Sequence, residues 1–183
     1  MSRRGLLQAI LPALLVLVSG VTPATAAPDP HPALAEESLA LCKQGDVLTG
    51  GERATRLSRG LELAERAASL DPRDARAHLA IFCNLGKHMQ ASGAGISSLF
   101  SLARLKHEID RSFELAPDDG DVLAAKGAFL VELPRPLGGD PIEGERLLRA
   151  ALALDPENGD TRHYLAEALH MRGADGAAHA LAQ

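Results

Sequence analysis

The sequence predicts an all-α fold: stacked antiparallel helical hairpins, about eight helices in all, after an N-terminal signal peptide. Three observations carry that prediction. The first is a junction that recurs. In Ala150-Ala151-Leu152-Ala153-Leu154-Asp155-Pro156-Glu157-Asn158-Gly159-Asp160, Leu152 and Leu154 close an apolar helix and Pro156 cannot continue it. Asn158 and Asp160 then offer caps for the next helix. Like units stand at Leu70-Asp71-Pro72-Arg73-Asp74 and Leu115-Ala116-Pro117-Asp118-Asp119, so the junction prolines lie 45 and then 39 residues apart. That spacing reads as a helical-hairpin repeat. The second observation is apolar residues at helical spacing between the junctions. The third is that no strand pattern of any length occurs.

The chain opens with an address. Arg3 and Arg4 precede an apolar run from Leu6 to Val18 that only Gln8 and Pro12 interrupt, and Ala24-Thr25-Ala26 follows as a small-x-small cleavage pattern. Residues 1–26 are expected to be a signal peptide, which makes the mature protein periplasmic or secreted. The run is too short for a good membrane anchor, and no cysteine follows it to carry a lipid, so no stable anchor is expected after cleavage. Ser2-Arg3-Arg4-Gly5-Leu6-Leu7 resembles a twin-arginine export signal, while the strongly apolar core favours the general secretory route.

Removing residues 1–26 takes away two arginines and no acids, which moves the formal charge from −5 to −7. That balance argues against nucleic acid or an anionic membrane surface as the main partner. With four Phe, one Tyr and no Trp, the core must be Ala/Leu packing, which suits close helix–helix contact.

The elements follow in order. Residues 27–32 are a Pro-rich lead, expected to be flexible. A first helix is expected over Ala33–Gln44, with Leu34, Leu39 and Leu41 apolar, and Gly45-Asp46 ends it. Thr49 to Glu52 read as a glycine-containing loop, and a long helix to Leu70 carries Leu57, Leu61, Ala64 and Ala68 at helical spacing. Ala75–Met89 forms the next helix. After the small residues Ala91 to Gly95, Ser97 or Ser98 can cap a helix that runs to Leu115, with Leu102, Leu105, Ile109 and Phe113 as its stripe. Asp121–Leu133 is a helix stopped by Pro134. In the loop Pro134-Arg135-Pro136-Leu137-Gly138-Gly139-Asp140-Pro141, Asp140 can cap, Pro141 fits the first helical position, and Glu143 sits where it could reach back to the cap. Helices over Ile142–Leu154, Thr161–Met171 and Gly176–Gln183 complete the chain.

These residues resemble tetratricopeptide repeats, whose unit is a two-helix hairpin with small residues at the helix crossing and a proline at its end. Gly144-x-x-x-Leu148-x-x-Ala151-x-x-x-x-Pro156 and Gly60-x-x-x-Ala64-x-x-Ala67-x-x-x-x-Pro72 match the second-helix signature, with Gly in place of the usual Ala. Leu105-x-x-x-Ile109-x-x-Ser112-x-x-x-x-Pro117 is a looser match. Leu165-Ala166 and Lys126-Gly127 resemble the first-helix Leu-Gly pair, and Ala178 falls where a further second helix carries its small residue. The signal spans residues 33–183. The units are longer than usual, with the extra residues in the loops at 45–52, 90–98 and 134–141. The last of these loops and the export signal resemble the periplasmic T component of TRAP-type transporters.

The resemblance implies a non-enzymatic scaffold that binds a protein or peptide partner in a concave groove lined by the first helix of each hairpin. The implied groove positions are Arg76, Leu79, Cys83 and Lys87; Asp121, Ala124, Ala128 and Glu132; and Asp160, His163, Glu167 and His170. Each could equally be a plain solvated helix face; as a set they read as a groove. Stacking order implies a basic end at Arg76 and Lys87, an acidic end from Asp121 to Glu167, and an apolar floor of Leu79, Ala124 and Ala128. The alternative is a transporter accessory with a small apolar or anionic ligand in a central hole. A homo-oligomer is also left open. His78 falls at a packing position of the repeat.

No cofactor is implied, and no catalytic constellation is visible. The serines lack a recognisable His partner, and Gly138-Gly139 follows no strand, so it is no ordinary phosphate loop. His163, Glu167 and His170 share a helical face, but a histidine pair seven residues apart is long for one ion, so no metal site is assigned. Cys42 and Cys83 form an even set, which an oxidising compartment would join; the alternative is two buried thiols. Within stacked hairpins the helices that carry them are parallel neighbours, which implies a Cys42–Cys83 bond.

Overall fold

The structure, a computed structural model, describes residues 30–91 and 99–181. The expected signal peptide and the Ser97/Ser98 cap lie outside the described residues. Eight α-helices are described: α1 His31–Gln44, α2 Gly50–Leu70, α3 Ala75–Ala91, α4 Leu99–Leu115, α5 Gly120–Glu132, α6 Pro141–Leu154, α7 Gly159–Met171 and α8 Asp175–Leu181. No strand occurs among the described residues. The helices pair as α1/α2, α3/α4, α5/α6 and α7/α8, and the first helices of neighbouring hairpins meet as α1 with α3 and α5 with α7.

The proline junctions share one geometry. Each is a two-residue turn opened by Pro72, Pro117 or Pro156. The backbone N–H of the residue that ends the turn donates back across it: Asp74 to Asp71 O at 3.1 Å, Asp119 to Ala116 O at 3.3 Å, and Asn158 to Asp155 O at 3.3 Å. The same residue then caps the following helix. Asp74 Oδ1 accepts from the Arg76 and Ala77 N–H groups, Asp119 from Val122 and Asn158 from Thr161. Proline therefore ends one helix while a short polar side chain satisfies the free N–H groups of the next. Asp160, the other expected cap, lies inside the first turn of α7.

The structure corrects the sequence reading at several points; α2, for one, begins at Gly50, so Gly50 to Glu52 are helix rather than loop. α1 begins at His31 rather than Ala33, with Pro32 in its first turn, where a missing N–H costs nothing. Asp140 does cap α6, accepting from Ile142 and Glu143 N–H at 3.1 Å each. Glu143, however, does not reach back to the cap: its two carboxylate oxygens bind Arg146, at 2.6 and 2.8 Å. The Asp140 N–H is instead taken by Leu130 O at 3.0 Å, which ties the loop to α5. Within that loop Arg135–Leu137 is a 3-10 turn and Gly138 has φ of 100°. A Cβ at Gly139 would fall 1.8 Å from Leu133 O, so the tight return requires glycine.

Side-chain size sets how closely the helices approach. α5 and α6 cross at Gly127 and Gly144; a Cβ at Gly144 would stand 2.9 Å from Gly127 O. Gly60 leaves room for Asn84, which donates to Ser38 Oγ, Ser38 O and Ala80 O, while Ser38 Oγ donates to Gly60 O at 2.7 Å. That network joins α1, α2 and α3 and is wholly buried. Apolar packing divides along the chain. Leu39, Ala64, Leu79, Ile81, Ile109 and Val122 form one cluster, and Val131, Leu148, Leu165, Leu169 and Ala178 form another. Between the halves α3 and α5 meet only narrowly.

Candidate functional site

Where α3 and α5 part, a cavity of about 550 Å³ opens on the face of the first helices. Phe82 and Phe129 lie between the two helices, edge to face with centroids 5.4 Å apart. Two rings in that position hold the helix backbones apart, whereas the glycines of α5 and α6 let theirs close. Met89 from α3, Leu102 and Leu105 from α4, and Ala125 and Ala128 from α5 add apolar wall. Tyr164 and Glu167 close one side from α7, and Glu132 stands beside them.

The polar groups stand at the mouth. The Tyr164 hydroxyl donates to Glu132 Oε1 at 3.0 Å. Burial, then the Glu132 carboxylate, with Asp160 and Glu167 adding, pushes that phenol well above its ordinary range. His163 packs edge to face on the Tyr164 ring, with centroids 5.5 Å apart. On α3, Lys87 Nζ bonds Asp46 Oδ2 at 2.6 Å and lies 3.5 Å from Cys42 O. Next to it Cys83 is joined to Cys42 by a disulfide with Cα atoms 6.2 Å apart, so the expected pairing is present and pins α1 to the wall of the cavity.

Cys83, Lys87, Ala128, Glu132 and Glu167, among the expected groove positions, line this cavity. Others do not. Leu79 is 3% exposed and belongs to the core cluster with Leu39 and Ile109, so it cannot serve as contact floor. Ala124 packs toward Leu123, Leu147 and Ala151. The expected basic end is also corrected. Arg76 binds Glu36 at 2.8 Å and Asp121 at 2.9 Å, with Asp119 at 3.7 Å; Glu36 above all holds its guanidinium even more firmly protonated than usual. Arg76 and Asp121 are thus one ion pair between α3 and α5, not opposite ends of a gradient, and Lys87 is likewise neutralised by Asp46.

His163, Glu167 and His170 line a second hollow, of about 530 Å³, with Asp175 and His179. The His170 ring bonds Asp175 at 2.7 Å. No three His, Cys, Asp or Glu side chains among the described residues converge as metal ligands. His78 is 9% exposed, yet it does more than pack: Nδ1 lies 2.7 Å from Glu108 Oε2 and Nε2 lies 3.1 Å from Pro72 O.

Sequence reasoning missed Phe82, Phe129 and Tyr164. They lie one position along from the expected Cys83, Ala128 and His163, on the adjacent stripe of each helix. A usable signal existed, because these are three of only five aromatic residues in the chain. The geometry defines an all-α helical-hairpin protein with an apolar cavity on its first-helix face. No protein-family model matches the chain, and no curated protein matches its sequence.

Proposed function

We propose that this is an exported, non-enzymatic scaffold of the tetratricopeptide-repeat kind that binds a protein or peptide partner on its first-helix face. The observation that carries the reading is the cavity between α3 and α5. Its floor is apolar and aromatic, its polar groups are few, and they are confined to the mouth, the arrangement common to recognition sites. The Cys42–Cys83 bond supports an oxidising compartment, and no described helix is long and apolar enough to cross a membrane.

Volume favours a second reading. About 550 Å³ lies within the range of small-molecule pockets, so a transporter accessory that holds a compact apolar ligand is the alternative. One experiment separates the two. Wild type and Ala128→Trp, which fills the cavity, serve as bait in cell-envelope extract, and both are weighed by native mass spectrometry. A protein captured by wild type and lost with Ala128→Trp supports the scaffold. A small adduct on wild type, absent from the variant, with no captured protein, supports the alternative. Equal capture by both baits rejects the cavity as the site.

A further inference from the structure

The charge around the cavity mouth is one-sided. Among the described residues, Lys87 is the only Lys or Arg that lines it, and Asp46 already neutralises that ammonium at 2.6 Å. Glu132 and Glu167 are exposed. Among the described residues, Glu132 accepts only the Tyr164 hydroxyl and Glu167 has no ion-pair partner. Asp160, one turn before Tyr164 on α7, adds a third carboxylate to the same field. Below these groups Phe82 and Phe129 offer aromatic rings, which attract both apolar groups and cations. A net negative mouth over an aromatic floor selects a ligand that is apolar at one point and cationic at the next.

We propose that the cavity accepts a peptide segment that pairs a large apolar side chain with a lysine or arginine. The apolar group lies on Phe82 and Phe129, and the cation on Glu132 and Glu167. This deepens, and rests on, the reading of the first-helix face as the binding surface. An acidic or neutral segment leaves the two carboxylates partly desolvated without a cation, which disfavours it.

The test uses the full chain and three labelled peptides that share a Leu-Leu core and differ only in flanking residues: Arg, Gln or Glu. Fluorescence anisotropy should rank them Arg over Gln over Glu, with the preference narrowing as salt rises. Glu132→Gln with Glu167→Gln should weaken the Arg peptide about tenfold and leave the Gln peptide no weaker. A control pair, Glu37→Gln with Glu157→Gln, makes the same charge change on exposed positions elsewhere and should alter nothing. Equal loss in the control pair, equal binding of the Arg and Glu peptides, or binding of none of the three overturns the proposal. If the Gln peptide binds as well as the Arg peptide and Ala128→Trp abolishes both, the cationic preference fails while the groove reading stands. If Ala128→Trp still captures partner from extract, the groove reading itself fails.

Discussion

Asp140 and Glu143 divide the work that a capping box would share. Asp140 holds two N–H groups of α6, while Glu143 is spent on Arg146, which holds the Glu143 carboxyl below its ordinary range. Asp140→Ala should therefore cost about 1 kcal/mol, the usual value of an N-cap, and Glu143→Ala well under half of that, since it loses only a surface pair. Equal losses in chemical denaturation would contradict the assignment. His78 is the second residue whose partners decide its chemistry. Glu108 and the Pro72 carbonyl are both acceptors, so the doubly protonated ring is the form that satisfies both. The Glu108 bond above all raises its pKa from the ordinary 6.5, against the opposing effect of burial. A raised folded-state value means that this contribution is complete below pH 6.5 and is lost as pH rises through the folded-state pKa. Wild type should lose stability relative to His78→Gln over that range. A difference that stays flat or grows with pH would show that the pair is not linked to protonation.

At the scale of elements, local chemistry explains what was readable. Each proline junction carries its own stop, turn and cap, so helices α3, α5 and α7 start within one or two residues of where those signals place them. One close crossing was readable too, because Gly144 in the repeat signature and Gly127 in the Leu-Gly-like pair meet where α5 and α6 touch. What the sequence did not show is the rotation of each first helix about its own axis. That rotation depends on which side chains fill the space between α3 and α5, and it placed Phe82 and Phe129 inward while Leu79 went to the core. The ion pair between Arg76 and Asp121 was hidden for the same reason, since the stacking order alone separated them. Element coupling also has a testable strength at the disulfide. Cys42 and Cys83 are separated by 41 positions, and a loop of that length contributes about 4 kcal/mol in the chain-entropy model. Cys42→Ser with Cys83→Ser should lower stability by an amount of that order, and an unchanged denaturation midpoint would contradict it.

For the whole molecule, the two halves differ in how they are held. α1 to α3 are joined by the buried Ser38–Asn84 network and the disulfide, and the His78–Glu108 contact ties α4 to α3. The second half closes on Glu145, 2% exposed between Arg149 and Arg172. Burial opposes the charge of Glu145, but Arg172 and Arg149 outweigh it and keep the carboxyl below its ordinary range. The cavity sits between these two well-tied halves, where the first helices meet least, and that position makes it the natural place for an outside segment to complete the packing. Site-specific photo-crosslinking in living cells tests this claim most directly. A benzoylphenylalanine at Glu132, on the mouth of the cavity, is compared with one at Arg66, exposed on α2. A discrete adduct is expected from Glu132 and none from Arg66. Adducts from Arg66 alone, or the same adduct from both positions, would contradict it.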